Sequence, residues 1–206
     1  MDGYLGIDVE LGGPDFISRQ DAILEIALLD IPDPFKSNYS ESDFITKYLN
    51  KTRVKHFLIK PYANVDVNIL HNVLNRDLSY YENGKPLVDV ANAIKQYMLE
   101  IGKIYGKITP VSDWHGDVIA LDYILSNAKT SVQKLIKQHN MLHIKSFVIG
   151  IDNFDYDFAR SKRKLGVKEL LRTEMHSSDT DCINTLETFV RATYLKKEKE
   201  HRNILI

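Results

Sequence analysis

"GIDVELGG", residues Gly6 to Gly13, sets two carboxylates and two closing glycines into an apolar segment. Tyr4, Leu5, Ile7 and Val9 give the stretch the character of a β-strand. Side chains at i and i+2 of a strand share a face, so Asp8 and Glu10 stand side by side. Like charges held together inside a fold are costly unless a cation or protons neutralise them. A D-x-E pair also fits a solvated strand end, and taken alone the motif leaves both readings open.

The chain has 206 residues, enough for one domain with a substantial core. Its 44% hydrophobic and 27% charged residues are ordinary for a soluble globular protein. No apolar run approaches the roughly 18–20 residues of a membrane span. The opening "MDGYLGID" lacks the basic-then-apolar pattern of a secretion signal. The single cysteine, Cys182, excludes an intramolecular disulfide and fits an intracellular chain. A cytoplasmic or nuclear location is therefore expected. With a formal net charge of -1, the whole protein is no magnet for nucleic acid. A polyanion would have to be held by a local basic patch or by bound metal.

Patterning predicts a strand at about 3–10, a second in "AILEIALLDI" (Ala22–Ile31) and a third in "VKHFLIKPY" (Val54–Tyr62). The polar stretch at about 30–50, with its prolines, reads as a loop or insertion. A helix follows in "LVDVANAIKQYMLEI" (Leu87–Ile101), where Val88, Ala91, Ile94 and Met98 keep helical spacing. Then come a strand in "KITPV" (Lys107–Val111), a long helix from near Asp117 to His139 and a strand in "KSFVIGI" (Lys145–Ile151). Helical segments near 165–174 and 179–195 precede a charged tail at 196–206. Strands first, then alternating helices and strands, predict an α/β layer: a mixed sheet of five strands flanked by helices.

Further carboxylates lie where strands give way to helices. "SDWHGDVIAL" (Ser112–Leu121) carries Asp113 and Asp117, and Asp122 follows directly. "HSSDTDC" (His176–Cys182) sets a histidine five residues before Asp181, with Ser177 or Ser178 as N-cap of a helix. Each has an ordinary alternative: Asp117 as an N-cap, Asp179 and Asp181 as complements of a helix dipole, His176 as a surface or core residue.

The order of these pieces resembles the DEDDh 3′–5′ exonucleases, the family of proofreading exonuclease domains, ribonuclease T and oligoribonuclease. The similarity runs from about Gly6 to Phe189. Asp8, Glu10 and Gly13 match the family's D-x-E-T-x-G, with Leu11 where the family has Thr. His176 and Asp181 match H-x-A-x-x-D-A, with Ser178 and Cys182 replacing the alanines. The second motif, usually H-N-x-x-F-D-x-x-F-L, departs most: here Ser112, Asp113, Trp114, His115, Gly116 and Asp117 stand in its places. Asp117 is the best match; Asp122, about 140° further round a helix, is its rival.

The resemblance implies a ribonuclease H-like fold and one exonuclease domain over residues 1–206. It implies that Asp8, Glu10, Asp117 and Asp181 hold two Mg²⁺ or Mn²⁺ ions. Hard divalent cations suit such an all-oxygen donor set. One ion would activate water and the other stabilise the leaving 3′ oxygen. His176 would be the general base. Leu11, Gly12 and Gly13 would meet the terminal nucleotide, Trp114 and His115 would stack on an unpaired base, and Arg163 and Lys164 would track phosphates. The expected partners are single-stranded or frayed 3′ ends of DNA or RNA, and a homodimer is allowed. Two alternatives remain: a catalytically silent nucleic-acid-binding module on the same fold, and an unrelated α/β protein with chance carboxylates.

Overall fold

Alternation along the first strand, β1 (Asp2–Leu11), sorts its side chains onto two faces. Leu5, Ile7 and Val9 enter one apolar cluster, while Tyr4 packs into another on the opposite side. The computed structural model describes residues 1–13, 22–136, 141–152, 158–167 and 177–204. Within them follow β2 (Ile23–Pro32), α1 (Glu41–Tyr48), β3 (Lys55–Leu58), α2 (Val67–Ile69) and α3 (Leu78–Glu82). Next come α4 (Leu87–Ile104), β4 (Lys107–Ser112), α5 (His115–Ser126), α6 (Val132–Ile136) and β5 (Leu142–His143). The helices α7 (Ile144–Asp152), α8 (Phe158–Lys164) and α9 (Ser178–Ile204) complete the series.

The sheet order is β3-β2-β1-β4-β5. Strands β1 and β2 are antiparallel, as are β2 and β3, whereas β4 runs parallel to both β1 and β5. The mixed five-stranded α/β sheet is therefore the observed architecture. Helices α4, α5 and α6 cover the Leu5–Ile7–Val9 face through Ile94, Met98, Leu121, Ile124 and Ile136. The other face is covered by α9, α7 and α1 through Leu186, Phe189, Val148 and Phe44. Among the described residues, no helix is long and apolar enough to cross a membrane.

Several elements differ from expectation in type or extent. The fifth strand is Leu142–His143, paired to Val111 and Ser112, and the stretch 145–151 read as a strand is the helix α7. Ile144, Phe147, Val148 and Ile151 have the i, i+3, i+4, i+7 spacing of one helix face, and they pack on the α9 side. The helix expected from Asp117 to His139 ends at Ser126; Lys129 takes a left-handed φ of 54°, and α6 restarts at Val132. The stretch at 30–50, expected as a loop or insertion, contains α1, capped by Ser40 and anchored by buried Phe44. Helix α8 ends before 165–174: Gly166, at φ 74°, closes the turn after it, and 168–174 lie outside the described residues. In α4 the inward residue of the first turns is Val90, while Val88 is exposed.

Gly6 decides how closely α9 approaches. A Cβ there would stand 2.6 Å from Leu186 Cγ and 3.2 Å from Cys182 Sγ, so only glycine lets α9 lie flat on β1. That seating brings the first turns of α9 to Asp8 and Glu10. Gly6→Val should destabilise the fold by about 1–3 kcal/mol through overpacking, read as a lowered urea midpoint; an unchanged midpoint would show that the helix is not seated this way.

Candidate metal centre

Asp8, Glu10 and Asp181 each bring one carboxylate oxygen to within 4.8 Å of the others. Asp8 and Glu10 come from one face of β1, and Asp181 from the first turn of α9. A bulge between Glu10 and Leu11 shifts the β1–β2 register just beyond Glu10. Oxygens on opposite sides of one Mg²⁺ lie about 4.2 Å apart, given bonds of about 2.1 Å. The cluster therefore fits a hard divalent cation with only slight closure.

Asp117 is buried at 3% exposure in the first turn of α5. Its Oδ2 accepts from the Ser112 hydroxyl, which in turn accepts the Trp114 amide at 3.0 Å. Its charge acts on Asp8, so it belongs to the same electrostatic site while standing outside the tight oxygen triad. Asp122 is elsewhere: it is exposed and accepts the Val132 amide at 2.7 Å, capping the start of α6.

Burial, with the charges of Asp117, Glu10, Asp181 and Asp113, holds Asp8 well above the usual carboxylate range. Burial, then Asp181, Glu25 and Asp117, pushes Glu10 up to about 8, while the Arg76 charge pulls the other way. Burial raises Asp117 to about 7 against the lowering effect of the Ser112 hydrogen bond. These raised values fix the sign of the pH dependence. The metal-free native chain keeps protons that the unfolded chain has released above about pH 4, so stability falls as pH rises through 7–8. In EDTA the melting temperature should drop between pH 5.5 and 8.5, by the equivalent of a few kcal/mol. Millimolar Mn²⁺, binding only the folded chain, should restore most of it at pH 8. A flat profile in EDTA, unaffected by Mn²⁺, would contradict a shared cation site.

Of the expected substrate-binding residues, Gly12 and Gly13 are buried at the end of β1, where the Gly12 amide donates to Ala22 O at 2.8 Å and its carbonyl accepts from Asp66 N at 2.6 Å. Leu11 is partly buried and packs on the core. Trp114 is 47% exposed, its ring lying over Gly116, where a Cβ would come within 2.1 Å of the indole. His115 stacks on His143 with ring centroids 4.7 Å apart. Arg163 and Lys164 are exposed in the last turn of α8. His176, like Lys168 and Arg172 of the basic stretch before it, lies outside the described residues.

Two features of the site escape a linear reading. Glu25, the cross-strand partner of Glu10, is fully buried and accepts from Tyr81 OH at 2.8 Å and Ser178 Oγ at 3.3 Å, with His56 Nε2 at 3.0 Å. A lone charge within the apolar "AILEIALL" was its only signal in the sequence. Arg76, beside this network, is the other.

No family model matches the sequence, and no curated protein matches it either. Solved structures do match. The nuclease domain of 3′hExo, a DEDDh family member bound to rAMP, aligns with a TM-score of 0.59 at 10% identity, covering 97% of this chain and 92% of that one. The fold is that of the DEDDh exonucleases. Cell-death related nuclease 4 (CRN-4) aligns with a TM-score of 0.59 at 15% identity over 93% of this chain. Exonuclease I aligns with a TM-score of 0.60 at 11% identity over 90%. The chain spans 63% of the length of the CRN-4 structure and 39% of that of exonuclease I. In this DEDDh exonuclease fold, the acidic triad sits where β1 meets the start of α9.

Proposed function

We propose that this chain is a metal-dependent 3′–5′ exonuclease that hydrolyses phosphodiester bonds at the 3′ ends of DNA or RNA. The observation that carries this reading is the convergence of Asp8, Glu10 and Asp181 oxygens within 4.8 Å, with buried Asp117 acting on Asp8. Four carboxylates drawn together at such electrostatic cost are explained by a cation-binding role, which a purely structural cluster would not need.

Mg²⁺ or Mn²⁺, when bound, supplies Lewis-acid stabilisation of the charge that develops on the phosphate oxygens. Asp8, Glu10 and Asp181 would supply the oxygen ligands, and the Ser112 hydroxyl holds the Asp117 carboxylate, whose charge reaches Asp8. His176 takes the proton of the attacking water on an imidazole nitrogen. The water oxygen bonds to phosphorus, the bond from phosphorus to the 3′ oxygen breaks, and that oxygen takes up a proton from solvent to leave as the 3′ hydroxyl of the shortened strand. The product is a nucleoside 5′-monophosphate. Exposed Trp114, beside the site, offers a ring for an unpaired base, and Arg163 and Lys164, exposed in the last turn of α8, would contact the strand's phosphates.

A 5′-labelled single-stranded oligonucleotide incubated with Mg²⁺ tests the reading. Successive one-nucleotide shortening from the 3′ end, absent in EDTA, is expected. An uncut strand that still binds would favour the catalytically silent module. Parallel reactions on DNA, RNA, duplex and mismatched ends then rank the substrates.

A further inference from the structure

A segment that the metal ligands do not use runs beside the end of β1 that carries Glu10. The Asp66 amide donates to Gly12 O at 2.6 Å, tying the segment to the end of β1. Leu70, Leu74 and Tyr81 are buried against Ala22 and Leu24 of the β2 side. Between these anchors, Leu70–Leu74 forms a π-type turn that closes with Asn75 in the left-handed conformation, φ 51°. This turn presents Arg76, whose guanidinium lies 5.0 Å from the Tyr80 ring centroid. The neighbouring Tyr81 hydroxyl bonds to Glu25, which is the cross-strand partner of Glu10.

Arg76 is held without being satisfied. Its Nη1 donates to the adjacent Asn75 carbonyl at 3.3 Å, and its Nε is buried with no hydrogen-bond partner among the described residues. No ion pair joins it to a described carboxylate, although its charge reaches Glu10. Burying an arginine donor without an acceptor is unfavourable, and such groups call for a further partner. Beside a cluster built for cations, the partner that fits a planar, permanently charged fork is an anion with paired oxygens.

We propose that Arg76 is a phosphate ligand, its guanidinium donating to a non-bridging oxygen of the phosphate being cleaved and retaining the same contact on the nucleoside 5′-monophosphate product. The proposal rests on the exonuclease reading and adds to it a residue that neither holds metal nor moves a proton. With four carboxylates balanced by two divalent ions, the phosphate brings one uncompensated negative charge, and Arg76 neutralises it.

Calorimetric titration of the Mn²⁺-loaded protein with AMP, alongside cleavage kinetics, tests this. Arg76→Ala and Arg76→Gln should weaken AMP binding about ten- to a hundredfold and lower kcat/KM by a similar factor. Arg76→Lys, which keeps the charge but loses the fork, should fall between them and wild type. All three variants should take up Mn²⁺ at least as tightly as wild type, which separates a phosphate contact from damage to the fold. Wild-type AMP affinity and turnover in Arg76→Ala and Arg76→Gln would overturn the assignment while leaving the exonuclease reading intact. A wild-type protein that neither cuts oligonucleotides nor binds AMP would overturn both.

Discussion

Asp8→Asn should abolish cleavage, by at least about a thousandfold, the rate equivalent of about 4 kcal/mol. Asparagine keeps the shape of the side chain and removes the charge that a hard cation requires. Asp8 faces burial and the charges of Asp117, Glu10 and Asp181, so its neutral replacement also relieves repulsion in the metal-free protein. The variant should therefore melt above wild type in EDTA at pH 8, yet gain little from Mn²⁺. Improved stability with lost activity is the signature of a charged functional cluster. Asp117→Ala should likewise eliminate cleavage. Asp122→Ala should retain most of it, because that carboxylate caps the Val132 amide away from the cluster. Loss of activity in Asp122→Ala with activity kept in Asp117→Ala would show that the third acidic ligand has been misassigned.

His176→Ala should slow turnover by about a hundredfold to ten-thousandfold, the usual cost of losing a positioned general base. The four carboxylates already provide the oxygen donors that Mg²⁺ favours, so the imidazole is assigned proton transfer rather than ligation. Mn²⁺-induced stabilisation and oligonucleotide binding should then remain nearly intact in this variant. The wild-type rate should fall as pH drops and the imidazole is protonated, and that limb should vanish from the His176→Ala profile. Wild-type turnover in His176→Ala would make His176 a structural residue.

The sequence discloses those parts of the molecule that repeat at short range. Alternation in β1 sorts Asp8 and Glu10 to one face, and helical spacing from Ile183 to Val190 fixes where α9 runs. Short apolar runs carry less information. "KSFVIGI" suits a strand or a helix equally, and packing of Ile144 and Val148 beside α9 decides for the helix. The acidic triad is legible because each carboxylate sits in a local motif. Glu25 and Arg76 are not, because their significance arises only when antiparallel pairing sets Glu25 opposite Glu10 and the Leu70–Leu74 turn brings Arg76 beside them. Gly6 is a third such case, since the reason for its missing side chain lies in Leu186 on the last helix.

The most direct test of the metal centre is Mn²⁺ uptake by EDTA-treated protein, followed by the loss of the free-ion electron paramagnetic resonance signal. Wild type with AMP present should remove two Mn²⁺ ions per chain from solution, and Asp8→Asn and Asp181→Asn should remove far fewer. A free-ion signal as strong with wild type as with buffer, or equal uptake by wild type and both variants, would contradict the assignment of Asp8, Glu10 and Asp181 as a metal centre.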